Sequence, residues 1–310
     1  MSNVLITGMN GFVGRHLSNH MLDYGWKIFG FDRQKLSGKE KVYFGDINDR
    51  DVLKSVLKKC QPDFIFHLVS VIKSTEPKAF FDTHVLGTVS LFESLVENGQ
   101  HPTVVVASSS AVYGSGFGGR PINESVKPHP MTHYAVSKLT QEIASLRYFD
   151  AYRLPVIVAR MFNLLGPGQS ADLACSAFAR QIALAEVSGK NEISIGDLSA
   201  RRDFVDVRDA VRALVLLAEK GKAGQIYNIC SGHAILMKKC LDEILSMSPL
   251  QFNVKLDAGK IQKNDVPIQV GDARKLNQIT GWRPQIKLKQ SLSDLLADWR
   301  QRVELGMERL

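Results

Sequence analysis

Tyr134 and Lys138 stand four residues apart in the stretch Tyr134-Ala-Val-Ser-Lys138. On a helix that spacing puts both side chains on one face. An ammonium beside a phenol favours the phenolate and lowers the tyrosine pKa from about 10, which makes Tyr134 a proton donor or acceptor near neutral pH. A second set of hydroxyls lies upstream in Ser108-Ser109-Ser110-Ala-Val-Tyr-Gly114, directly after an apolar run at 104–107. If that run is a strand, its serines emerge at the strand end, where one can bond the same substrate oxygen as Tyr134. Each motif alone has a plainer reading, a solvated helix face or a serine-rich turn. Together they describe proton exchange with a substrate oxygen.

A partner for that chemistry is written near the N-terminus. Thr7-Gly8-Met-Asn10-Gly11-Phe12-Val13-Gly14 follows an apolar run and opens a helical pattern. Gly8 permits a tight turn, Gly11 lets backbone N–H groups approach a pyrophosphate, and Gly14 lets helix and strand pack closely. The helix N-terminus then favours the negative charge. Asp32 lies 18 positions after Gly14, where a carboxylate holds both ribose hydroxyls. It would repel a 2′-phosphate, whereas the adjacent Arg33 would pair with one. The balance tips slightly to NAD(H) over NADP(H). Asp46 and Ile47, after a third apolar run, are placed to bracket an adenine; an ordinary acidic turn is the competing reading.

These groups need a scaffold. Strand-like runs over 4–7, 27–31, 42–44, 64–67, 104–107 and 156–159 alternate with helical patterns over 11–24, 51–59, 81–98 and 132–152. Such alternation predicts an α/β fold, a Rossmann-type doubly wound parallel sheet covered on both faces. Ligands bind beyond the carboxyl ends of such strands. The pattern changes at Gly166-Pro-Gly168. A dinucleotide-binding domain over 1–165 and a smaller C-terminal α/β substrate domain over 166–310 are expected, with part of 200–232 returning to the first. A terminal helix is expected over 288–310.

Composition narrows the classes. With 45% hydrophobic and 23% charged residues the 310-residue chain reads as globular rather than disordered. The net charge of +8 suits a phosphate-bearing substrate, but no basic run with interleaved aromatics suggests nucleic acid. No apolar run is long enough for a membrane span, and the first residues lack a signal-peptide pattern, so the cytosol is expected. The four cysteines, Cys60, Cys175, Cys230 and Cys240, form no C-x-x-C pair and read as reduced, buried thiols. His16 and His20, like His129 and His133, are four apart, but Leu17 stands where a zinc protease needs glutamate, so no metal is expected.

Taken in order, the motifs resemble those of extended short-chain dehydrogenase/reductases of the NAD-dependent epimerase/dehydratase family, which act on nucleotide sugars. They comprise the glycine turn, His67-Leu68-Val69, the serine run, Tyr134-x-x-x-Lys138, and Arg160-Met-Phe-Asn163 with Gly166-Pro-Gly168. Arg202-Asp-Phe-Val-Asp-Val-Arg-Asp209, Tyr227-Asn-Ile-Cys-Ser-Gly232 and Gly281-Trp-Arg-Pro284 complete the set. The resemblance implies a catalytic trio of Ser109, Tyr134 and Lys138, and further cofactor contacts at Leu68 and Val69. It implies substrate contacts at Ser109, Ser110, Asn163 and Arg202. It also implies a homodimer built on the helices over 81–98 and 132–152. Within the family the chain is most similar to GDP-4-keto-6-deoxymannose reductases, which reduce a C4 ketone with NAD(P)H to give GDP-rhamnose.

Three departures qualify that. Ser110-Ala111 stands where dehydratases carry Asp-Glu, which argues against elimination of water. His84 stands where the family often has asparagine. Gln262 replaces a second diphosphate-binding arginine, with Lys263 beside it as a point charge. A nucleotide-sugar 4-epimerase with tightly bound NAD is the nearest alternative. A non-catalytic dinucleotide or RNA-binding module is a distant one, since such proteins tend to lose the Tyr/Lys pair.

Overall fold

Along the first strand Val4 and Ile6 enter one core and Leu5 enters another. Val105 and Ala107 against Val104 and Val106 repeat this in a later strand. Alternate residues point to opposite faces, so a strand that is apolar throughout must be covered on both sides. The computed structural model describes residues 1–34, 41–260 and 266–307. Its first part runs β1 (Asn3–Thr7), α1 (Phe12–His20), β2 (Lys27–Asp32), β3 (Val42–Phe44), α2 (Arg50–Cys60), β4 (Phe64–His67), α3 (Pro77–Phe81), α4 (Gly87–Glu97), β5 (Thr103–Ser109), α5 (His133–Tyr152) and β6 (Val156–Met161). There follow β7 (Asn163–Leu165), α6 (Ala174–Ser188), β8 (Glu192–Ile195), β9 (Arg201–Asp206), α7 (Val207–Lys220), β10 (Gln225–Ile229), β11 (Ala234–Leu236), α8 (Met237–Leu245), β12 (Asn253–Leu256), β13 (Ile268–Gln269), α9 (Arg274–Thr280) and α10 (Leu288–Glu304).

Seven strands form one parallel sheet in the order β3-β2-β1-β4-β5-β6-β10. Residues of α1, α7 and α9 pack on one face, and those of α2, α4 and α5 on the other. This is the doubly wound Rossmann-type arrangement. Strand order reverses between β1 and β4, which opens a crevice at their carboxyl ends. The glycine turn after β1, residues 68–71 after β4 and Ser109 at the end of β5 all lie at that end.

The helical boundaries differ from the sequence pattern for identifiable reasons. The helix expected over 11–24 ends at His20 and tightens into a 3₁₀ turn over Met21–Tyr24, which Gly25 closes in the left-handed region at φ 64°. The helix expected over 81–98 starts earlier, with Pro77 in its first turn, and passes through a π turn at Asp82–Leu86 before α4. The terminal helix stops at Glu304.

The C-terminal part has its own core, in which α6, α8 and α10 pack around the buried Trp299. The Trp299 indole N–H donates to Ser176 Oγ at 2.8 Å. β9 is its hub, pairing with β7, β11 and β13. The three carboxylates of the Arg202–Asp209 stretch are scaffolding. Asp203 accepts the N–H groups of Ser231, Gly232 and Gly271. Asp206 caps α7 and accepts from Ser291. Asp209 accepts the N–H groups of Gln285 and Ile286.

Candidate active site

Thr132 caps α5, its hydroxyl accepting the Ala135 N–H at 3.1 Å, so the helix starts just ahead of Tyr134. Tyr134 is half-buried, and the hydroxyls of Ser109 and Ser70 lie near enough to its phenol to act on it. The rings of Phe80 and His84 meet it edge-on, with centroids 6.1 and 5.6 Å away. Burial pushes the phenol above its ordinary pKa, and the two serines pull the other way. This reverses the expectation that the Lys138 ammonium lowers it. Lys138 is 2% exposed, and its Nζ donates to Ala107 O at 2.9 Å and Gln141 Oε1 at 3.0 Å. Burial in turn pushes Lys138 down to about 7.

Beneath this group runs a buried polar layer. Thr88 Oγ1 donates to His84 O at 2.5 Å, so toward His67 Nε2, at 2.9 Å, it accepts. His67 therefore carries its hydrogen on Nε2, and its Nδ1 accepts from Thr7 Oγ1 at 2.8 Å. Burial holds His67 down to about 3, so it stays neutral. Further along α5, Glu142 accepts from Arg160 at 2.9 and 2.6 Å and from Ser108. Ser108 is thereby a structural serine, and Ser109 alone of the run meets Tyr134.

The glycine turn is built as a cradle. A Cβ on Gly8, whose φ is +73°, would sit 2.9 Å from Val69 N, and one on Gly14 would sit 2.3 Å from Gly8 O. No side chain caps α1 behind Gly11, which leaves the first N–H groups at Phe12 and Val13 open to an anion. A cavity of about 470 Å³ runs from Gly8, Asn10 and Gly11 past Asp32 and Arg33 to Asp46 and Ile47, and along Leu68, Val69 and Ser70. Asp32 accepts the Asn10 N–H at 2.9 Å and the Gln34 N–H at 3.1 Å. Among the described residues, Asn10 Oδ1 is buried without a hydrogen-bond partner, an acceptor awaiting a donor. Turn, open helix end, carboxylate and orphaned amide oxygen fit an adenine dinucleotide.

Residues 4–230, from β1 to just past β10, match the NAD dependent epimerase/dehydratase family. The chain belongs to that family. It is an enzyme of the extended short-chain dehydrogenase/reductase type with a nicotinamide dinucleotide cofactor. It is 31% identical to the GDP-6-deoxy-D-mannose reductase of Pseudomonas aeruginosa, with 97% of this chain and 98% of the relative covered. It is 27% identical to the GDP-6-deoxy-D-talose 4-dehydrogenase of Aggregatibacter actinomycetemcomitans, covering 90% and 91%. Among solved structures, RMD from Pseudomonas aeruginosa complexed with NADPH superposes with a TM-score of 0.85 at 30% identity, over 97% of this chain and 100% of that one.

The other predicted contacts are spread more widely. Phe12 turns its ring toward His16, and the His16 imidazole bonds Pro167 O at 2.7 Å. Ser110 is buried and donates to Gln269 Oε1 at 2.9 Å, away from Tyr134. Asn163 donates to Asp203 O at 3.1 Å, and Arg202 Nη1 donates to Arg201 O at 3.0 Å and to Val266 O. Lys263 and Gln262 lie outside the described residues. Sequence reasoning missed Ser70 as a neighbour of the phenol. Its only signal was a hydroxyl where the strand β4 ends.

Proposed function

We propose that this enzyme reduces the C4 ketone of a 4-keto-6-deoxyhexose nucleotide, of the GDP-4-keto-6-deoxymannose type, with NAD(P)H. The observation that carries the reading is the Ser109 hydroxyl set near the Tyr134 phenol beside a dinucleotide cradle. A bound nicotinamide supplies hydride to the sugar carbon. Tyr134 gives its proton to the C4 oxygen as charge develops there, and Ser109 donates a hydrogen bond to the same oxygen. Lys138, fixed by Ala107 O and Gln141, has one further N–H for the nicotinamide ribose. Ala111 supplies no acid or base, which disfavours dehydration. Asn163, Arg202 and Lys263 are proposed to hold the sugar nucleotide, with Ser110 shaping that side of the site.

The same proposal assigns 1–165 to the dinucleotide and 166–310 to the substrate, with NAD(H) slightly preferred because Asp32 faces the cavity. A homodimer is supported by apolar exposure on the helices that pair in relatives, including Leu86 at 54% and Ile143 at 62%. A cytosolic setting fits four buried, unpaired cysteines.

The test is oxidation of NADH and NADPH against a panel of 4-keto-6-deoxy sugar nucleotides, with product configuration read by NMR. Stoichiometric cofactor consumption with a C4 alcohol as product is expected. Interconversion of two sugar nucleotides without net consumption, by protein that retains NAD through purification, would replace this reading with the epimerase.

A further inference from the structure

Ser70 follows β4 and is exposed to the cofactor cavity, which it lines. Its hydroxyl lies 3.0 Å from His84 Nε2, whose ring meets the Tyr134 ring edge-on, and near enough to the phenol to act on it. The imidazole's other bonds fix which way the hydrogens run. The Val71 N–H donates to Nε2 at 3.1 Å, so Nε2 carries no hydrogen. Nδ1 carries it instead and donates to Ser137 Oγ at 2.8 Å. Ser137 in turn donates to the Tyr134 carbonyl oxygen at 2.8 Å. Ser70 therefore donates its hydrogen to His84 Nε2 while the phenol beside it is protonated. His84 is buried, and burial with the nearby Lys138 pushes it down to about 2, so its lone pair is available at every working pH.

The reduction proposed above leaves one charge to be answered. Once Tyr134 has given its proton to the sugar oxygen, a phenolate remains. Ser109 has a single hydrogen, committed to the sugar oxygen. Lys138 spends its two described hydrogen bonds on Ala107 O and Gln141 Oε1. Ser70 is the other hydroxyl near the phenol. Rotation about its Cβ–Oγ bond turns its hydrogen from His84 Nε2 to the phenolate. Nε2 keeps the Val71 N–H, so no buried acceptor is stranded by the change.

We propose that Ser70 is the hydrogen-bond donor to the Tyr134 phenolate and that His84 positions it, holding its hydrogen on Nε2 until the charge forms. The inference rests on the reductase reading. It also accounts for a histidine where the family often has asparagine, because an amide offers the same pair of functions, an acceptor toward Val71 and Ser70 and a donor toward Ser137.

The experiment compares Ser70→Ala, His84→Leu and His84→Asn with wild type. Steady-state kinetics are paired with the ¹³Cζ signal of Tyr134, picked out from the seven tyrosines by its loss in Tyr134→Phe. That signal reports hydrogen bonding at the phenol oxygen and needs no substrate. Ser70→Ala and His84→Leu are expected to shift it and to lower kcat about tenfold, with KM and NADH binding changed less than about twofold. His84→Asn is expected to restore both readouts. A wild-type kcat and an unshifted signal in Ser70→Ala, or His84→Asn as impaired as His84→Leu, would overturn the proposal. If His84→Leu does not fold, Ser70→Ala, which removes an exposed hydroxyl, decides alone. If wild type turns over none of the sugar nucleotides, the reductase reading fails, and with it the phenolate step. The Tyr134 signal in Ser70→Ala then still decides whether Ser70 holds the phenol.

Discussion

Lys138 Nζ donates to the carbonyl oxygen of Ala107 at 2.9 Å, one helical turn beyond Tyr134 and two residues before Ser109. This bond fixes the register of α5 against β5, and so brings the phenol to the serine. The lysine is a spacer as much as an electrostatic group, and its burial has consequences for stability.

Burial pushes Lys138 down to about 7, whereas an unfolded lysine holds its proton to about 10.4. Between those values the unfolded chain binds the extra proton, so this group's contribution to stability rises with pH. Each pH unit in that window is worth about 1.4 kcal/mol. Lys138→Met is expected to remove that slope between pH 7 and 10 in the cofactor-free protein. Urea unfolding at several pH values checks it; parallel stability curves for the two proteins would contradict it.

Tyr134→Phe keeps the ring packed against Phe80 and His84 and removes only the proton donor. A loss of about a thousandfold in kcat is expected, the scale of general acid catalysis. NADH affinity should stay within about twofold, because the cradle is untouched. Fluorescence titration and turnover measured on one preparation separate the two effects. Substantial turnover in this variant would remove Tyr134 from the chemistry.

Much of this was written in the sequence. The glycine turn, Tyr134 with Lys138 and the strands over 4–7, 64–67 and 104–107 are local patterns, and the structure brings them to one crevice. Other features depend on what burial does. The core-facing side of α5 carries Ser137, Lys138, Gln141, Glu142 and Ser145, so apolar periodicity does not mark it as buried. The sign of the Tyr134 shift depends on the same burial. β7, β11 and β13 have three, three and two residues, too few for a period-2 signal, and exist because β9 offers partners. Ser70 and His84 meet only because the segment after β4 passes the π turn.

Glu142 and Arg160 form a doubly hydrogen-bonded ion pair at 2% and 3% side-chain exposure. Breaking such a pair leaves a buried charge uncompensated, typically at about 3–5 kcal/mol. Glu142→Gln keeps the shape and removes the charge, and is expected to destabilise by an amount on that order. Its unfolding midpoint in urea measures this. A change below about 1 kcal/mol would mean that water or another group neutralises Arg160.

Asp32 faces the cavity with both oxygens already holding backbone N–H groups, and the exposed Arg33 stands beside it. Asp32→Asn keeps an acceptor but removes the negative charge. Affinity for NADH should fall about tenfold, the worth of a charged hydrogen bond to a ribose hydroxyl, while NADPH binding should improve. Titration of both cofactors reads the preference directly. If NADPH binds wild type more tightly and the variant does not change the ratio, Arg33 rather than Asp32 sets the choice.

Val136 and Ile143 lie two turns apart on α5, at 37% and 62% exposure, and Leu86 is 54% exposed on the neighbouring segment ahead of α4. Three large apolar side chains on adjacent helices would gain by removal from water, at about 25 cal/mol per Å². A second copy of the same surface, related by a two-fold axis, would cover them. The protein is therefore expected to sediment as a dimer at micromolar concentration. Ile143→Asp places a charge where a closed interface would strip its water, and should weaken association by at least about a hundredfold. Lys138 and Tyr134 belong to the opposite, sheet-facing side of α5, so the monomeric variant should still bind NADH. Sedimentation velocity with and without the substitution separates the outcomes: a wild-type monomer at tens of micromolar would mean that these side chains are simply solvated.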